Sequence, residues 1–379
     1  MGMKRMLLWG CALMCTVLGM GTAWAAEPIR IGLMAPVTGA WASEGEEMRN
    51  IVNLLAEELN AQGGLLGRKI EVVLEDDGGD PRTASLAAQR LATQGIVAVV
   101  GTYGSSVTEA SQSIYDEASI LQIATGSTSI RLSEKNLKYF FRTCPRDDDQ
   151  GRVAAQTIQK MGFKKVAILH DNTSYAKGLA DESQALLKKS GIKVVFFDAL
   201  TPGERDFTAI LTKMKSADPE VIFFTGYYPE LGLILRQKKE INWTIPVVGG
   251  DATNNPDLVK IAGKDAAEGY YFVSPPIPKD LPYEKTRAFL KNYGDKYNGA
   301  VPGSIWAVLA GDAFLSITDA IKATESTDVN KMAQYLHKSE HKTSGLTGEI
   351  GFNAKGDRVG DVYRVYRVDA AGAFILQEQ

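Results

Sequence analysis

Ile70–Tyr103 reads IEVVLEDDGGDPRTASLAAQRLATQGIVAVVGTY, and the order of patterns within it sets the architecture of the whole chain. A β-rich run, Ile70–Glu75, leads into the acidic turn Glu75-Asp76-Asp77-Gly78-Gly79-Asp80-Pro81. Asp80-Pro81 opens a helical stretch, because proline's missing N–H is no loss in the first helical turn. A second β-rich run, Ile96–Gly101, closes on Gly101-Thr102-Tyr103. Strand, helix and strand in this order place both strands parallel in one sheet. Ile192–Tyr227 repeats the order of strand, turn, helix and strand, and closes on Gly226-Tyr227. Two similar lobes are the economical explanation of such a duplication.

Working outward, the first lobe gains strands at Ile29–Ala35 and Ile120–Ala124, and a helix with Met48, Ile51, Leu55 and Leu59 along one face. The second lobe reads as strands at Val166–His170, Ile192–Asp198, Val221–Thr225 and Pro246–Gly249. The fold class is α/β: two Rossmann-like lobes with parallel-sheet cores joined by a three-strand hinge. Crossings are expected at Thr143-Cys144-Pro145, at Ser274-Pro275-Pro276 and near Gly345–Gly351, since β-like runs at Val362–Val368 and Ala373–Gln377 end the chain. Residues 27–144 with 275–348 then form the N-terminal lobe, and 145–274 with 349–379 the C-terminal lobe. Ligands of doubly wound sheets bind beyond the carboxyl ends of the strands. The loops Gly101–Ser106 and Gly226–Glu230 therefore face a cleft between the lobes.

Composition agrees with a globular body. The 379 residues are 45% hydrophobic and 23% charged, with a net charge of −3 that lacks the basic surplus of a nucleic-acid binder. Residues 1–25 stand apart as a signal peptide. Lys4 and Arg5 precede the apolar run Met6–Met20, and Ala23-Trp24-Ala25 supplies a cleavage site near Ala25 or Ala26. Trp9 and Met14 spoil a lipoprotein signal at Cys11 or Cys15. Cys144 alone survives cleavage, so the chain forms no internal disulfide, and Cys144 reads as a buried structural thiol.

Familiar catalytic machinery is missing. Gly32-Leu33-Met34-Ala35-Pro36 ends the first strand, where a dinucleotide fold needs its glycine fingerprint. Ala262-Gly263-Lys264-Asp265 lacks the rest of a phosphate loop, and His170, His337 and His341 are the only histidines. Asp147-Asp148-Asp149 complements the dipole of a helix N-terminus. The acidic turn before Pro81 fails the spacing of a calcium loop. These readings assign no enzyme, no cofactor and no metal.

Several motifs in register resemble the periplasmic branched-chain amino acid binding proteins, the type I solute receptors of ABC transporters. They are Ile31–Pro36, Thr38-Gly39, Asn60–Arg68, Asp76–Pro81, Val100–Ser106, Phe141-Arg142-Thr143, Asp149-Gln150-Gly151, Tyr175–Gly178, Tyr227–Glu230 and Ala267-Glu268-Gly269. The resemblance spans the mature chain and implies the type I periplasmic binding fold. It also implies roles residue by residue. Ser105, with Gly126 and Thr128, would hold a ligand α-carboxylate; capping of helices is the plainer reading of the hydroxyls. Tyr175 and Tyr227 would close over the ligand, or else serve as aromatic core. Asp251 would pair with the ligand ammonium, or else cap a loop. Trp41, Glu44, Tyr103 and Trp306 are candidates to line the side-chain pocket. The leucine/isoleucine/valine-binding member of that family carries an aromatic residue at the position of Glu44. Glu44 reads first as an ordinary exposed acid at a helix N-terminus, and second as a contact that shifts preference toward polar or cationic ligands. A cysteine pair of that member falls near Gly79 and Gly104 and is absent here.

The resemblance implies a monomeric periplasmic receptor that captures an amino acid, branched-chain or otherwise aliphatic, and delivers it to the permease subunits of an ABC importer. Same-fold binders of amides or aromatic acids, and ligand-sensing proteins, are the alternatives.

Overall fold

Five strands, β1 (Ile29–Ala35), β2 (Ile70–Asp76), β3 (Ala98–Val100), β4 (Leu121–Ala124) and β5 (Phe140–Arg142), build the first sheet of the computed structural model, which describes residues 27–338, 340, 342–360 and 362–377. The signal peptide expected at residues 1–25 lies outside the described residues. The strand order is β2-β1-β3-β4-β5, all parallel. β1 lies inside the sheet between β2 and β3, and Ile31, Leu33, Met34 and Ala35 are fully buried, so the run is nearly continuous in apolar residues.

The second sheet repeats this plan. Strands β6 (Lys165–His170), β7 (Lys193–Ala199), β8 (Val221–Phe224), β9 (Val247–Gly249) and β10 (Tyr271–Ser274) lie in the order β7-β6-β8-β9-β10, again parallel. A short hairpin, β11 (Thr343–Gly345) and β12 (Gly348–Ile350), stands apart. β13 (Arg364–Val368) and β14 (Phe374–Leu376) extend the second sheet antiparallel beyond β10. The duplication read from Ile70–Tyr103 and Ile192–Tyr227 is thus a repeated strand order. In each sheet the strand order reverses between its first and third strands, β1/β3 and β6/β8, the switch point beyond whose carboxyl ends doubly wound folds bind ligands.

Helix Ala42–Ala61 buries Met48, Ile51 and Leu55 and half-buries Leu59, as its periodicity predicts. It packs against Ile305–Thr324, a helix apolar almost all round and buried over most of its length. Asp312, buried within that helix, accepts from the Thr347 amide at 3.3 Å and from the Thr347 hydroxyl, and so pins the β11–β12 turn to the first sheet's helices.

The chain leaves the first sheet's β5 after Arg142 to enter β6 of the second, and leaves β10 after Ser274. The third crossing does not lie near Gly345–Gly351. That segment is the hairpin held by Asp312. The chain then stays on the first sheet: Phe352 packs on Phe141 with ring centroids 5.2 Å apart, and the Arg142 amide donates to the Gly356 carbonyl at 2.9 Å. Arg142 and Asp357 form an ion pair at 2.6 Å with both side chains buried. The chain crosses only between Asp357 and Arg364. Cys144 is buried, as expected.

Candidate functional site

Every expected site residue except Trp306, which lies in the first turn of helix Ile305–Thr324, follows the carboxyl end of a strand. Trp41 follows β1, Tyr103 and Ser105 follow β3, Gly126 and Thr128 follow β4, Tyr175 follows β6, Tyr227 follows β8 and Asp251 follows β9. The structure brings them together. Trp41 stacks on Tyr227 with centroids 4.2 Å apart, and Tyr103 meets both edge-on at 5.4 and 5.9 Å. Tyr175 lies 5.4 Å from Tyr227, and Trp306 lies 6.2 Å from Tyr103. Aromatic rings from both lobes thus form one contiguous cluster.

On the first lobe, a buried hydroxyl chain locks the loops after β3 and β4 together. Thr102 and Thr108 are linked at 2.7 Å, Thr108 and Ser127 at 2.7 Å, and Ser127 donates to the Thr102 carbonyl at 3.1 Å. Ser105 opens helix Ser105–Glu117, but its hydroxyl accepts from the Ser129 amide at 3.1 Å rather than capping its own helix. Gly126 differs from expectation. Its amide donates to the Thr102 carbonyl at 3.3 Å, so this N–H serves the loop. A Cβ there would lie 2.6 Å from the Tyr103 ring, which is why the position is glycine. Thr128 is fully buried and its hydroxyl lacks a hydrogen bond of good geometry, although it lies close enough to the Asp147 carboxyl to lower that group's pKa.

On the second lobe, carboxylates concentrate. Tyr363 donates to Asp251 Oδ2 at 2.8 Å, and the Asp251 amide donates to Gln150 Oε1 at 2.8 Å. Tyr175 donates to the same Gln150 oxygen at 3.2 Å, and Gln150 Nε2 donates to Asp147 Oδ1 at 2.9 Å. Burial pushes Asp251 up to about 7, against the pull of these hydrogen bonds. Burial, then the charge of Asp251, pushes Asp147 well above the ordinary carboxyl range. Gln150 links the two residues, donating to the Asp147 carboxyl and accepting from the Asp251 amide, and burial favours the neutral form of both carboxyls.

Glu44 overturns its first reading. It is fully buried and accepts from Asn255 Nδ2, across the cleft, at 2.7 Å. Burial, then the charge of Glu47, pushes its carboxyl up to about 8. Sequence assigns none of Asp147, Gln150, Tyr363 and Asn255 to the site: Asp147 reads there as complementing a helix dipole, and Gln150 only as part of a shared motif. Asp147 and Gln150 share one helix face with buried Ala154 and Ile158, a spacing that could have set Asp147 apart from its half-buried neighbours. Nothing in the sequence marks Tyr363 or Asn255. Among the described residues no group of acidic, histidine or cysteine side chains could hold a metal ion, and no helix is long and apolar enough to cross a membrane.

The sequence profile described as periplasmic binding protein matches residues 28–373. This chain belongs to that family. The family is a class of solute receptors rather than of enzymes. Among periplasmic binding proteins, Leu/Ile/Val-binding protein homolog 1 of Brucella abortus is 34% identical over 96% of each chain. The leucine-, isoleucine-, valine-, threonine- and alanine-binding protein of Pseudomonas aeruginosa is 33% identical over 90% of each. The substrate-binding protein LivJ of Streptococcus pneumoniae, solved with isoleucine, superposes with a TM-score of 0.83 at 30% identity, covering 92% of this chain and 99% of that one.

Proposed function

We propose that this chain is an extracytoplasmic receptor that captures an α-amino acid between its lobes and presents it to the permease subunits of an ABC importer. The buried Asp147 and Asp251 carboxyls, linked through Gln150 and set beside the aromatic cluster, carry the reading, because an ammonium would neutralise them there. The ligand ammonium sits against Asp251, bounded by Tyr175 and Tyr363. Its carboxylate sits at the start of helix Ser105–Glu117, against the Thr128 hydroxyl, where a helix N-terminus favours an anion. Trp41, Tyr103, Tyr227 and Trp306 enclose the side chain, and the relatives' names support an aliphatic stem. Two lobes, residues 27–144 with 275–357 and 145–274 with the remainder of the chain, work as the jaws. Bonds across the cleft, including Tyr228 to the Ala40 carbonyl at 3.0 Å and the Ser174 amide to Ser106 at 2.9 Å, hold the closed form that the permease recognises. The receptor acts as a monomer in the periplasm, reached through the leader of residues 1–25, and makes or breaks no bond in its ligand.

Thermal unfolding of the refolded, ligand-free protein against the twenty L-amino acids and their des-amino acids tests this reading. A ligand at 100 times its Kd stabilises by about 2.7 kcal/mol, a rise of several degrees. At least one amino acid is expected to raise the midpoint while its des-amino counterpart does not. Equal stabilisation by benzoate or another acid without an amine would instead favour the aromatic-acid binders. Thr128→Val should weaken the bound amino acid about tenfold to a hundredfold, the worth of a hydrogen bond to a charged group. Wild-type affinity in calorimetry would place the carboxylate elsewhere.

A further inference from the structure

Glu44 adjoins Asn255 and Tyr103, and the reading above gives it no part in holding an α-amino or α-carboxyl group. It lies in the first turn of helix Ala42–Ala61, fully buried. Oε1 receives Asn255 at 2.7 Å, while Oε2 has no hydrogen bond of good geometry even though the Ser304 hydroxyl adjoins the carboxyl. Two further buried polar atoms of the same wall, the Tyr103 hydroxyl and Trp306 Nε1, also lack partners. The Glu44 charge acts on the Tyr103 hydroxyl more strongly than any other charge does.

The surroundings of Glu44 are acidic. Glu47 is held by the amides of Gly303 and Ser304 at 3.1 and 3.0 Å, Asp257 adds its charge, and Lys260 is engaged with Asp257 at 2.6 Å. No lysine or arginine bonds to Glu44 among the described residues. A buried carboxyl with one unmatched oxygen is costly beside a hydrocarbon, and the cost disappears when a donor meets it.

We infer that Glu44 is a specificity-determining residue that receives a nitrogen donor at the far end of the ligand's side chain, as an ammonium, a guanidinium or an amide N–H. This rests on the amino-acid reading above and refines it. The ligand is an α-amino acid whose aliphatic stem crosses the cluster of Trp41, Tyr103 and Trp306 and ends in nitrogen at Glu44. Leucine, isoleucine and valine would lay methyl groups against Oε2 and leave it unsatisfied. A site built to bond a polar group discriminates strongly against an analogue that lacks it.

Calorimetry on the exported, refolded protein tests the inference with L-lysine, L-ornithine and L-arginine as cationic donors, L-glutamine and L-asparagine as neutral donors, and L-leucine as the apolar analogue. At least one nitrogen-bearing ligand is expected to bind ten times or more tighter than leucine. Glu44→Gln should weaken a cationic ligand about thirtyfold or more while leaving a neutral amide within about threefold, which tells the two donor types apart. Glu44→Leu should reverse the order in favour of leucine. Leucine binding tightest in the wild type, with the order unchanged in Glu44→Leu, would overturn the inference and leave the amino-acid reading standing. So would equal weakening of all ligands in Glu44→Gln and Asn255→Ala, for then Glu44 merely latches the lobes. If no amino acid bound at all, the underlying reading would fail as well, and that result is distinct from the other two.

Discussion

Asp251→Asn is expected to weaken amino-acid binding by at least about thirtyfold and up to several thousandfold, because removing one partner of a buried charge pair costs 2–5 kcal/mol. The substitution keeps the shape of the side chain and an oxygen for the Tyr363 hydroxyl, which donates to Oδ2 at 2.8 Å. What it removes is the negative charge opposite the ammonium. Asp147 softens the loss, since its carboxyl is raised partly by the charge of Asp251 and ionises more readily without it. Asp147→Asn should therefore cost less than Asp251→Asn, and the two together more than their sum, the sign of coupled sites. The pH dependence follows from the same groups. Asp251, at about 7 in the free protein, must be ionised to meet the ammonium, so affinity should rise up to about tenfold per pH unit as pH climbs toward 7, then flatten. The ligand-free protein moves the other way. A carboxyl raised on folding contributes stability that is full below its unfolded pKa and fades as pH rises through its folded value. Asp251 and Asp77, both at about 7, and Glu44, at about 8, place that fading between roughly pH 4 and 8. Calorimetry across pH 5.5–8 checks both trends. An affinity that falls with pH, or that Asp251→Asn leaves unchanged, would remove Asp251 from the ammonium site.

What the sequence shows and what it hides divide along one line. Runs such as Ile29–Ala35 and Val221–Phe224 are strands because their own residues demand burial, and their repeated order was readable from the runs alone. The loop residues after those strands were readable too, since the position of a strand end fixes where its loop emerges. Glu44 was misread because its burial is decided by Asn255 and Ser304, far along the chain, and not by the helix it begins. Local pattern puts an acid in a first helical turn for the dipole; the second lobe then covers it. Asp147 shares this fate, since its partner Gln150 is local but its antagonist Asp251 is not. The third crossing was misplaced for a related reason. The glycines at 345, 348 and 351 look like a place to leave the lobe, and only buried Asp312 turns them into a pinned hairpin.

Asp357→Ala is expected to destabilise the protein by about 3–5 kcal/mol, the cost of leaving a buried ion without its partner. Arg142 has no solvent exposure and Asp357 almost none. With Asp357 gone, Arg142 would keep only neutral acceptors: the carbonyls of Ser127 and Ser129, at 3.0 and 2.8 Å, and the Ser133 hydroxyl at 2.8 Å. Those carbonyls flank Thr128, so the ion pair does more than staple the segment after the hairpin to β5. It fixes the loop that presents the Thr128 hydroxyl to the cleft, and the stability loss should come with weaker ligand binding. The guanidinium of Arg142, and then that of Arg146, hold Asp357 below the ordinary carboxyl range despite its burial. This contribution is present above about pH 4, the unfolded value, and is lost as pH falls through the lower folded one. Denaturant unfolding of Asp357→Ala beside the double variant Arg142→Met/Asp357→Leu separates the two costs. Replacing both charges by apolar groups should recover most of the loss, because no buried ion then remains. A single variant within about 1 kcal/mol of wild type would mean that Arg142 finds water or another acid, and that the loop after β4 is held by its hydroxyl chain alone.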